Sequence, residues 1–373
     1  MPESIAFTGD IHLSHTIWEL YRQITGDSRV ALNQIAEAVT SRGIKHLVIA
    51  GDLFNSTDPH PALVERFREF AETLSTAGTD LWFIQGNHDR RVVPWARAVS
   101  GHTKWIGDGV PVEIGGRTVV GFDYAPRDVT ATNLAKAGTL GDIDILVLHQ
   151  FAKQYIGAET SWNLDLEWVP DNVRDVVMGD IHEPWSKLVG THRCWYTMAP
   201  QTRSITEAPH PKSILVLDEA GEWNRVGIAS RRIKAWSITA ENHESTLSEI
   251  RTWLTDAAES SAATGLPPVV YLTYDDTLPS AVELTEELIK AMRVDAFIVS
   301  RGTLTRVNPG IRPGDPKTDI PGPGDFLARC ISEGSPAFAL ALDLITSEPG
   351  KASIAAKLEH ARNLALQEPS HEH

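Results

Sequence analysis

The sequence predicts an α/β protein in which two sheets pack together between flanking helices, followed by a smaller α/β unit and a C-terminal helical arm. Three observations carry this prediction. Across the first 230 or so residues, short apolar runs of strand length alternate with amphipathic stretches of helical period. Near Arg231 the alternation restarts on a smaller scale. Between 307 and 325 the chain is rich in proline and glycine, and two helix-like segments follow.

Taken in order, residues 4–8 place Ile5 and Phe7 on one face of a short strand. Residues 29–42 carry Leu32, Ile35, Ala36 and Val39 at helical spacing. Residues 46–50 are a continuous apolar run, the mark of a strand buried on both faces. Residues 61–77 form an amphipathic helix. Pro61 suits its first turn, Leu63, Phe67, Phe70 and Leu74 make one stripe, and Gly78 stops it. Residues 81–84 are the next strand. Residues 110–122 set Gly115-Gly116 between two alternating runs, which predicts a hairpin. Residues 143–148 and 173–178 are two more buried strands. These segments make a first domain, 1–230. In the second unit, 231–306, strands at 233–238, 269–273 and 296–299 alternate with helices at 246–258 and 280–292. The stretch 307–325 reads as a linker or extended arm. Helices are expected at 326–345 and 353–366, within a C-terminal segment 326–368, ahead of a disordered tail.

Bulk properties narrow the function. A chain of 373 residues suits two or three domains. No apolar stretch approaches a membrane span. The N-terminus has no basic leader, long apolar region or cleavage site, so no secretory signal is expected. Cys194 and Cys330 are too few and too far apart for a disulfide framework. A reducing compartment follows, the cytoplasm, or the host cytoplasm for a phage-encoded chain. The formal charge of −15 argues against nucleic acid as a partner. Bound divalent cations, or a partner subunit, could supply the missing positive charge.

Five times in the first domain a strand-like run ends in metal-ligand residue types. These are Gly9-Asp10-Ile11-His12, Gly51-Asp52-Leu53-Phe54, Gly86-Asn87-His88-Asp89, His149-Gln150 and Gly179-Asp180-Ile181-His182. Ligands of open α/β sheets gather beyond the carboxyl ends of strands, so the five could converge. In an extended segment residues i and i+2 point the same way, which lets Asp10 with His12, and Asp180 with His182, reach one ion. Each cluster alone is also an ordinary turn, cap or core histidine; the ordered set is what points to metal. Carboxylate, imidazole and amide donors together suit Mn, Fe or Zn over Ca or a thiolate site. Two such ions about 3.5–4 Å apart imply hydrolysis of a phosphoester.

The ordered set resembles the calcineurin-like metallophosphoesterases. Within them, Leu148-His149-Gln150 and the smaller unit at about 231–305 resemble the SbcD-type exonuclease subunit, a group of DNA double-strand-break repair nucleases. The resemblance implies a two-sheet metallophosphoesterase sandwich with a capping domain. It implies that Asp10, His12 and His182 hold one metal, that Asp52 bridges, and that Asn87, His149 and Asp180 hold the second. Mn2+ is the expected ion, with Mg2+, Fe2+ or Zn2+ as alternatives. His88 would be the non-ligand acid that helps the leaving oxygen depart, since imidazole titrates near neutral pH. Asp89 would orient His88 by accepting its other ring proton. DNA would be the substrate and an SbcC-type coiled-coil ATPase the partner. The oligomeric state stays open, with a homodimer among the options.

Two departures stand out. The family pattern Gly-His-x-His is Gly-Asp-Ile-His here, so Asp180 brings a harder, charged donor and a shift toward Mn or Mg. Met198-Ala199-Pro200-Gln201 stands where the family tends to a small Gly-Ser turn. Arg90 and Arg91 could contact substrate phosphates or form a solvated surface pair. Tyr124 and Arg127 could line the groove. His15 reads as lying behind the motif or on the surface. Trp162, Trp168, Trp185 and Trp195 fit packing better than base stacking. The C-terminal helices could dock on the ATPase or pack on the body. Two rivals remain: a phosphoesterase for small molecules, against which the cap and arm speak, and a scaffold without catalysis, against which the intact Asn87-His88-Asp89 speaks.

Overall fold

The computed structural model describes residues 2–18, 20–157 and 161–308. Most of the expected linker and both C-terminal helices therefore lie outside the described residues. Elements are numbered in chain order, with the short helices α3 (Trp95–Val99) and α5 (Lys153–Ile156) included. One sheet takes β1 (Ile5–Thr8), β2 (His46–Ala50), β3 (Asp80–Ile84) and β4 (Thr103–Trp105) in parallel. β11 (Ser213–Leu217) joins β1 antiparallel and β12 (Trp223–Gly227) closes that edge. The second sheet has the order β5 (Val112–Ile114), β6 (Arg117–Gly121), β7 (Ile143–His149), β8 (Val173–Gly179), β10 (His192–Tyr196) and β9 (Trp185–Val189).

Strand alternation explains the layering. Ile5, Phe7, Val48 and Ala50 from the first sheet meet Ile145, Val147 and Val177 from the second in one buried cluster. The intervening residues point outward. Ala6, Leu47 and Ile49 pack under α1 (Asp27–Thr40) and α2 (Pro61–Thr76), through Leu32, Ile35, Phe67 and Leu74. Across the molecule, Leu146 and Leu148 pack with Leu134 and Ala137 of α4 (Arg127–Ala137). Full burial of a side chain such as Phe7 or Ile145 is worth roughly 1.5–3 kcal/mol. Both faces of each central strand are covered, which is why those strands read as unbroken apolar runs.

The expected α/β architecture with two packed sheets holds, and the elements shift by a few residues. α1 starts at Asp27, two residues early, because Gly26 turns the chain at φ 95°. Gly115 and Gly116, at φ 55° and 70°, make the hairpin between β5 and β6. The sequence reading omits β4, α4, β9 to β12 and the strand Thr303–Val307. β9 and β12 are edge strands with mixed exposure and no clean period. β11 is a fully buried run that lacks flanking helix signals.

The small unit has parallel β13 (Ile233–Ile238), β14 (Val269–Tyr274) and β15 (Ala296–Ser300), with β16 (Thr303–Val307) antiparallel on β15. α6 (His243–Thr264) and α7 (Ala281–Met292) cover one face through Ile250, Leu254 and Ile289. The other face meets the loop after β1, where Ile17, Tyr21 and Ile24 pack with Ile233, Val269 and Phe297. Arg231 seals the junction, donating twice to the Asp27 carboxylate at 2.8 Å. Among the described residues, no helix is long and apolar enough to cross a membrane.

Candidate metal centre and active site

β1, β2, β3, β7 and β8 all end on the same side, three from one sheet and two from the other. His149 is the last residue of β7, and the loops leaving the other four strands carry the other ligand candidates. Ligand atoms of Asp10, His12 and His182 lie within 4.8 Å of one another, and so do those of Asp10, Asp52 and His149. Nε2 of His149 is 3.0 Å from Asn87 Oδ1, 3.5 Å from Asp52 and 3.8 Å from Asp180. Nε2 of His12 is 3.2 Å from that of His182 and 3.3 Å from Asp52. Asp10, His12, Asp52 and His149 are buried, Asp180 and His182 half-buried, and Asn87 and His88 exposed. The cluster is thus rooted in the core and open on one side.

Backbone geometry makes this convergence possible. Asp10, His12, Asp52 and Asp180 take φ of 51°, 46°, 49° and 90°. Left-handed non-glycine residues cost about 1–2 kcal/mol each. The loops hold each other there: Asp10 N–H donates to Gly51 O, His12 N–H to Asp52 O, and Leu13 N–H to Leu53 O, at 2.8–3.1 Å. Asp10 Oδ1 accepts from Asp180 N–H at 2.9 Å, and Asp52 Oδ1 from His88 N–H at 2.9 Å. A Cβ on Gly86 would sit 2.0 Å from Asp52 Oδ1, and one on Gly51 would sit 2.3 Å from His149 Nδ1. Glycine is required at both for the ligands to close in.

Two imidazoles are aimed by groups behind them. His149 Nδ1 donates to Ala50 O at 2.8 Å, and His182 Nδ1 to Glu207 Oε1 at 2.9 Å. Each arrangement fixes the tautomer and turns Nε2 toward the cluster. Glu207 escaped the sequence reading because it lies 25 residues beyond His182 in a loop with no motif. Asn55 and Arg203 escaped for the same reason. Asn55 O faces His88 Nδ1 at 3.3 Å, and Arg203 donates to Asn55 Oδ1 at 2.7 Å.

Asp89 departs from its expected role. Its Oδ2 accepts from Leu53 N–H at 2.8 Å and Phe54 N–H at 3.2 Å, and its Oδ1 from Gly86 N–H at 2.8 Å. A carboxylate filled by three main-chain donors ties two ligand loops together, and the His88 ring takes the Asn55 carbonyl instead. A ring nitrogen of His88 also lies within 4.8 Å of ligand atoms of His12 and Asp52. Distance therefore leaves both ligand and acid open to it, while its exposure suits the acid.

The other candidates are engaged elsewhere in part. Arg91 donates to Thr57 O and stacks on Trp95 at 4.8 Å. Arg127 stacks on Trp162 at 3.3 Å. Arg90 and Tyr124 line a cavity of about 560 Å³, and the Tyr124 ring is 6.3 Å from that of His149. His15 packs edge-on against His60 at 4.9 Å. Trp185 and Trp195 pack on Tyr196 and Trp223.

The electrostatics favour cations. Burial drives His12 far below the ordinary imidazole value, so it is a neutral donor. Burial pushes the Asp10 carboxyl up to about 7, with Asp52 and Asp180 adding to the rise. Burial alone would lift Asp52 too, but the adjoining His149 outweighs it and holds Asp52 below the usual carboxylate range. His149 correspondingly rises well above its usual value despite burial. Asp10 Oδ2 is buried with no hydrogen-bond partner among the described residues. Three crowded carboxylates, one with an orphaned oxygen, and a neutral buried imidazole fit divalent ions well.

A two-sheet sandwich with such a cluster at the strand ends defines a metal-dependent phosphoesterase. The chain belongs to the calcineurin-like phosphoesterase family, whose model matches residues 3–216. Two curated relatives are the DNA double-strand break repair proteins Mre11 of Methanosarcina acetivorans and Methanosarcina mazei. Both are 22% identical to it, over 315 and 313 residues, covering 80% of this chain and 49% and 48% of theirs. The chain thus spans about half the length of the curated relatives it matches. A solved structure described as a novel archaeal phosphodiesterase aligns over 60% of this chain and 99% of its own, at 13% identity and TM-score 0.36, too distant to carry an argument.

Proposed function

We propose that this chain is a two-metal DNA nuclease, an exonuclease and endonuclease at DNA ends, working with an SbcC-type ATPase. The observation that carries it is the meeting of Asp10, Asp52, Asn87, His149, Asp180 and the two flanking histidines at one open edge, in a chain similar to two DNA break repair proteins.

Asp10, His12, Asp52 and His182 would hold one ion, and Asp52, Asn87, His149 and Asp180 the other, with Mn2+ the preferred occupant. Such ions polarise a phosphoryl oxygen and make water a nucleophile at neutral pH. Glu207 and the Ala50 carbonyl keep the His182 and His149 rings turned inward. Asp89 keeps the β2 and β3 loops in register. As water adds to phosphorus and the ester P–O bond breaks, His88 delivers a proton to the departing oxygen. Its exposed position leaves room for a polymer. The small unit, seated on the loop after β1, would flank the substrate.

A manganese-dependent assay on linear duplex, single strands and a chromogenic phosphodiester tests this, with His88→Ala beside the wild type. Cleavage of DNA, lost in His88→Ala, is the expected result. Ester hydrolysis with no action on DNA, even with the ATPase added, would establish a small-molecule phosphoesterase. No hydrolysis of any substrate would point to a scaffold. Full activity in His88→Ala would remove His88 from the acid role.

A further inference from the structure

We propose that the loop after β1 and the start of α2 form an arginine-lined track for the phosphates of the DNA strand beside the scissile bond. The proposal rests on the nuclease reading. A cavity of about 560 Å³ is lined by Arg22, Arg203, His15, His60 and Asn55. A second, of about 290 Å³, shares Leu13, Ser14, His15 and Leu63 with it and adds Arg29 and Arg66. The adjoining cavities are thus lined by four arginines and, among their lining residues, by a single acidic one, Asp58. The whole chain carries 49 acidic and 34 basic residues, so this excess runs against its composition.

The track begins at the catalytic cluster. Asn55 lines the larger cavity, and its main-chain oxygen faces His88 Nδ1 at 3.3 Å. Arg203, in the same wall, donates to Asn55 Oδ1 at 2.7 Å and to His12 O at 3.3 Å. Further along stands His60, the residue that caps α2. Its Nδ1 accepts from Ala62 N–H at 3.2 Å, so the ring proton sits on Nε2, a donor for an anion. Arg22, Arg29 and Arg66 are exposed. Arg66 pairs with Glu69 at 3.5 Å, in an exposed pair of the kind that water and salt weaken.

A row of cations suits a repeating anion. One phosphomonoester needs a single anion subsite, whereas a strand brings one phosphate per nucleotide and fills several. Contacts to phosphate fix the position of the strand without reading its sequence. The basic footprint missing from the net charge is therefore concentrated beside the site.

The test compares the full 373-residue chain with its Arg22→Gln, Arg66→Gln double variant in manganese. Both side chains are exposed, so the fold should be retained. Hydrolysis of a labelled single-stranded oligonucleotide and of a chromogenic phosphodiester is followed across salt. The expected result is a KM for DNA raised at least about tenfold, and a salt dependence shallower by about 1.4 log units per log unit, at roughly 0.7 per lost contact. Equal losses on both substrates, or an unchanged salt slope, would overturn the track. A wild type that cleaves DNA beside an unaffected variant sinks the track alone. A wild type that hydrolyses only the ester sinks the nuclease reading and the track with it.

Discussion

Replacing Glu207 with glutamine should weaken metal binding at a modest cost in stability. Glu207 is 6% exposed. Its Oε1 accepts from His182 Nδ1 at 2.9 Å, its Oε2 from Arg203 N–H at 2.9 Å, and the Lys212 ammonium lies 3.5 Å away. Burial lowers the proton affinity of His182, the Glu207 carboxylate raises it, and the net effect is a rise. Glutamine keeps an acceptor for the ring and removes the charge. Losing such a partner behind a ligand imidazole costs about 10–100-fold in metal affinity, or roughly 1.4–2.7 kcal/mol. Alanine also strands Lys212, itself 3% exposed. An unpaired buried charge costs about 3–5 kcal/mol, less here because burial already pushes Lys212 toward its neutral form. Glu207→Gln should therefore lose affinity with a modest fall in Tm, because its amide nitrogen cannot accept from Arg203 N–H, and Glu207→Ala should lose affinity with a larger fall. Adding Lys212→Met to Glu207→Ala should restore Tm and leave affinity low. Competition against a fluorescent chelator and a thermal melt read the two quantities separately. Unchanged affinity in Glu207→Gln, or affinity regained in the double variant, would refute the reasoning.

Other consequences follow from the same geometry. Gly86→Ala puts a Cβ 2.0 Å from Asp52 Oδ1; overpacking of this kind costs about 1–3 kcal/mol, and metal titration should show weaker binding with the rest of the fold intact by circular dichroism. Asp180→His swaps a hard donor for a borderline one, so bound-metal analysis after loading from an equal mixture should shift from manganese toward zinc; an unchanged ratio counts against an oxygen-rich second site. In metal-free protein, Asp10 and Asp89, each pushed up to about 7 by burial, and His149, raised well above its usual value, all lie above their unfolded values. Groups raised in this way stabilise the fold at low pH and lose that contribution as pH climbs through the folded value. Asp52 is depressed, so its contribution changes only at acid pH, below this window. Tm in chelator should accordingly fall from about pH 4 to about pH 7 through the two carboxyls, partly offset below about pH 6.5 by His12, which burial lowers to about 2, and keep falling above about pH 6.5 through His149; excess manganese should remove the fall, since ligation keeps the carboxylates and imidazoles deprotonated. A flat Tm in chelator would contradict this.

The sheets were legible because their strands are buried on both faces. Leu47–Ala50 and Ile145–Leu148 advertise themselves as apolar runs, and nothing else in a chain of this composition competes with that reading. Edge strands such as β9, with Lys187 and Leu188 exposed, carry no such signature. The ligand clusters were legible because each is local, at the last residue of a strand or within four residues beyond it. What supports them was not. Glu207, Asn55 and Arg203 act on His182, His88 and His12 across 25, 33 and 191 residues of sequence. Arg231 finds Asp27 across 204. Asp89 shows the limit most clearly: adjacency to His88 suggested one partner, and folding supplied three main-chain donors instead.

Backbone strain at the ligands bears on how the centre works. Asp10, His12, Asp52 and Asp180 occupy conformations that an unconstrained chain would leave. They are held by contacts between loops, Asp10 N–H to Gly51 O, His12 N–H to Asp52 O and Asp180 N–H to Asp10 Oδ1, and by the Asp89 carboxylate. None of these bonds involves a metal. Contacts between protein groups thus hold the ligands in place, and an ion would not have to supply that order as well. What opposes loading is protonic, since burial raises the proton affinity of Asp10, and the neighbouring carboxylates that of His149, so that an ion competes with protons for both. If so, Asp89→Asn, which leaves at least one main-chain N–H without its acceptor, should slow or weaken loading by loosening the loops. Isothermal calorimetry separates the two effects. Wild-type loading should release protons, seen as a heat that varies with buffer ionisation enthalpy. Asp89→Asn should add an ordering penalty visible as a more unfavourable binding entropy. Identical entropies in the two proteins would show that the loops do not depend on that carboxylate.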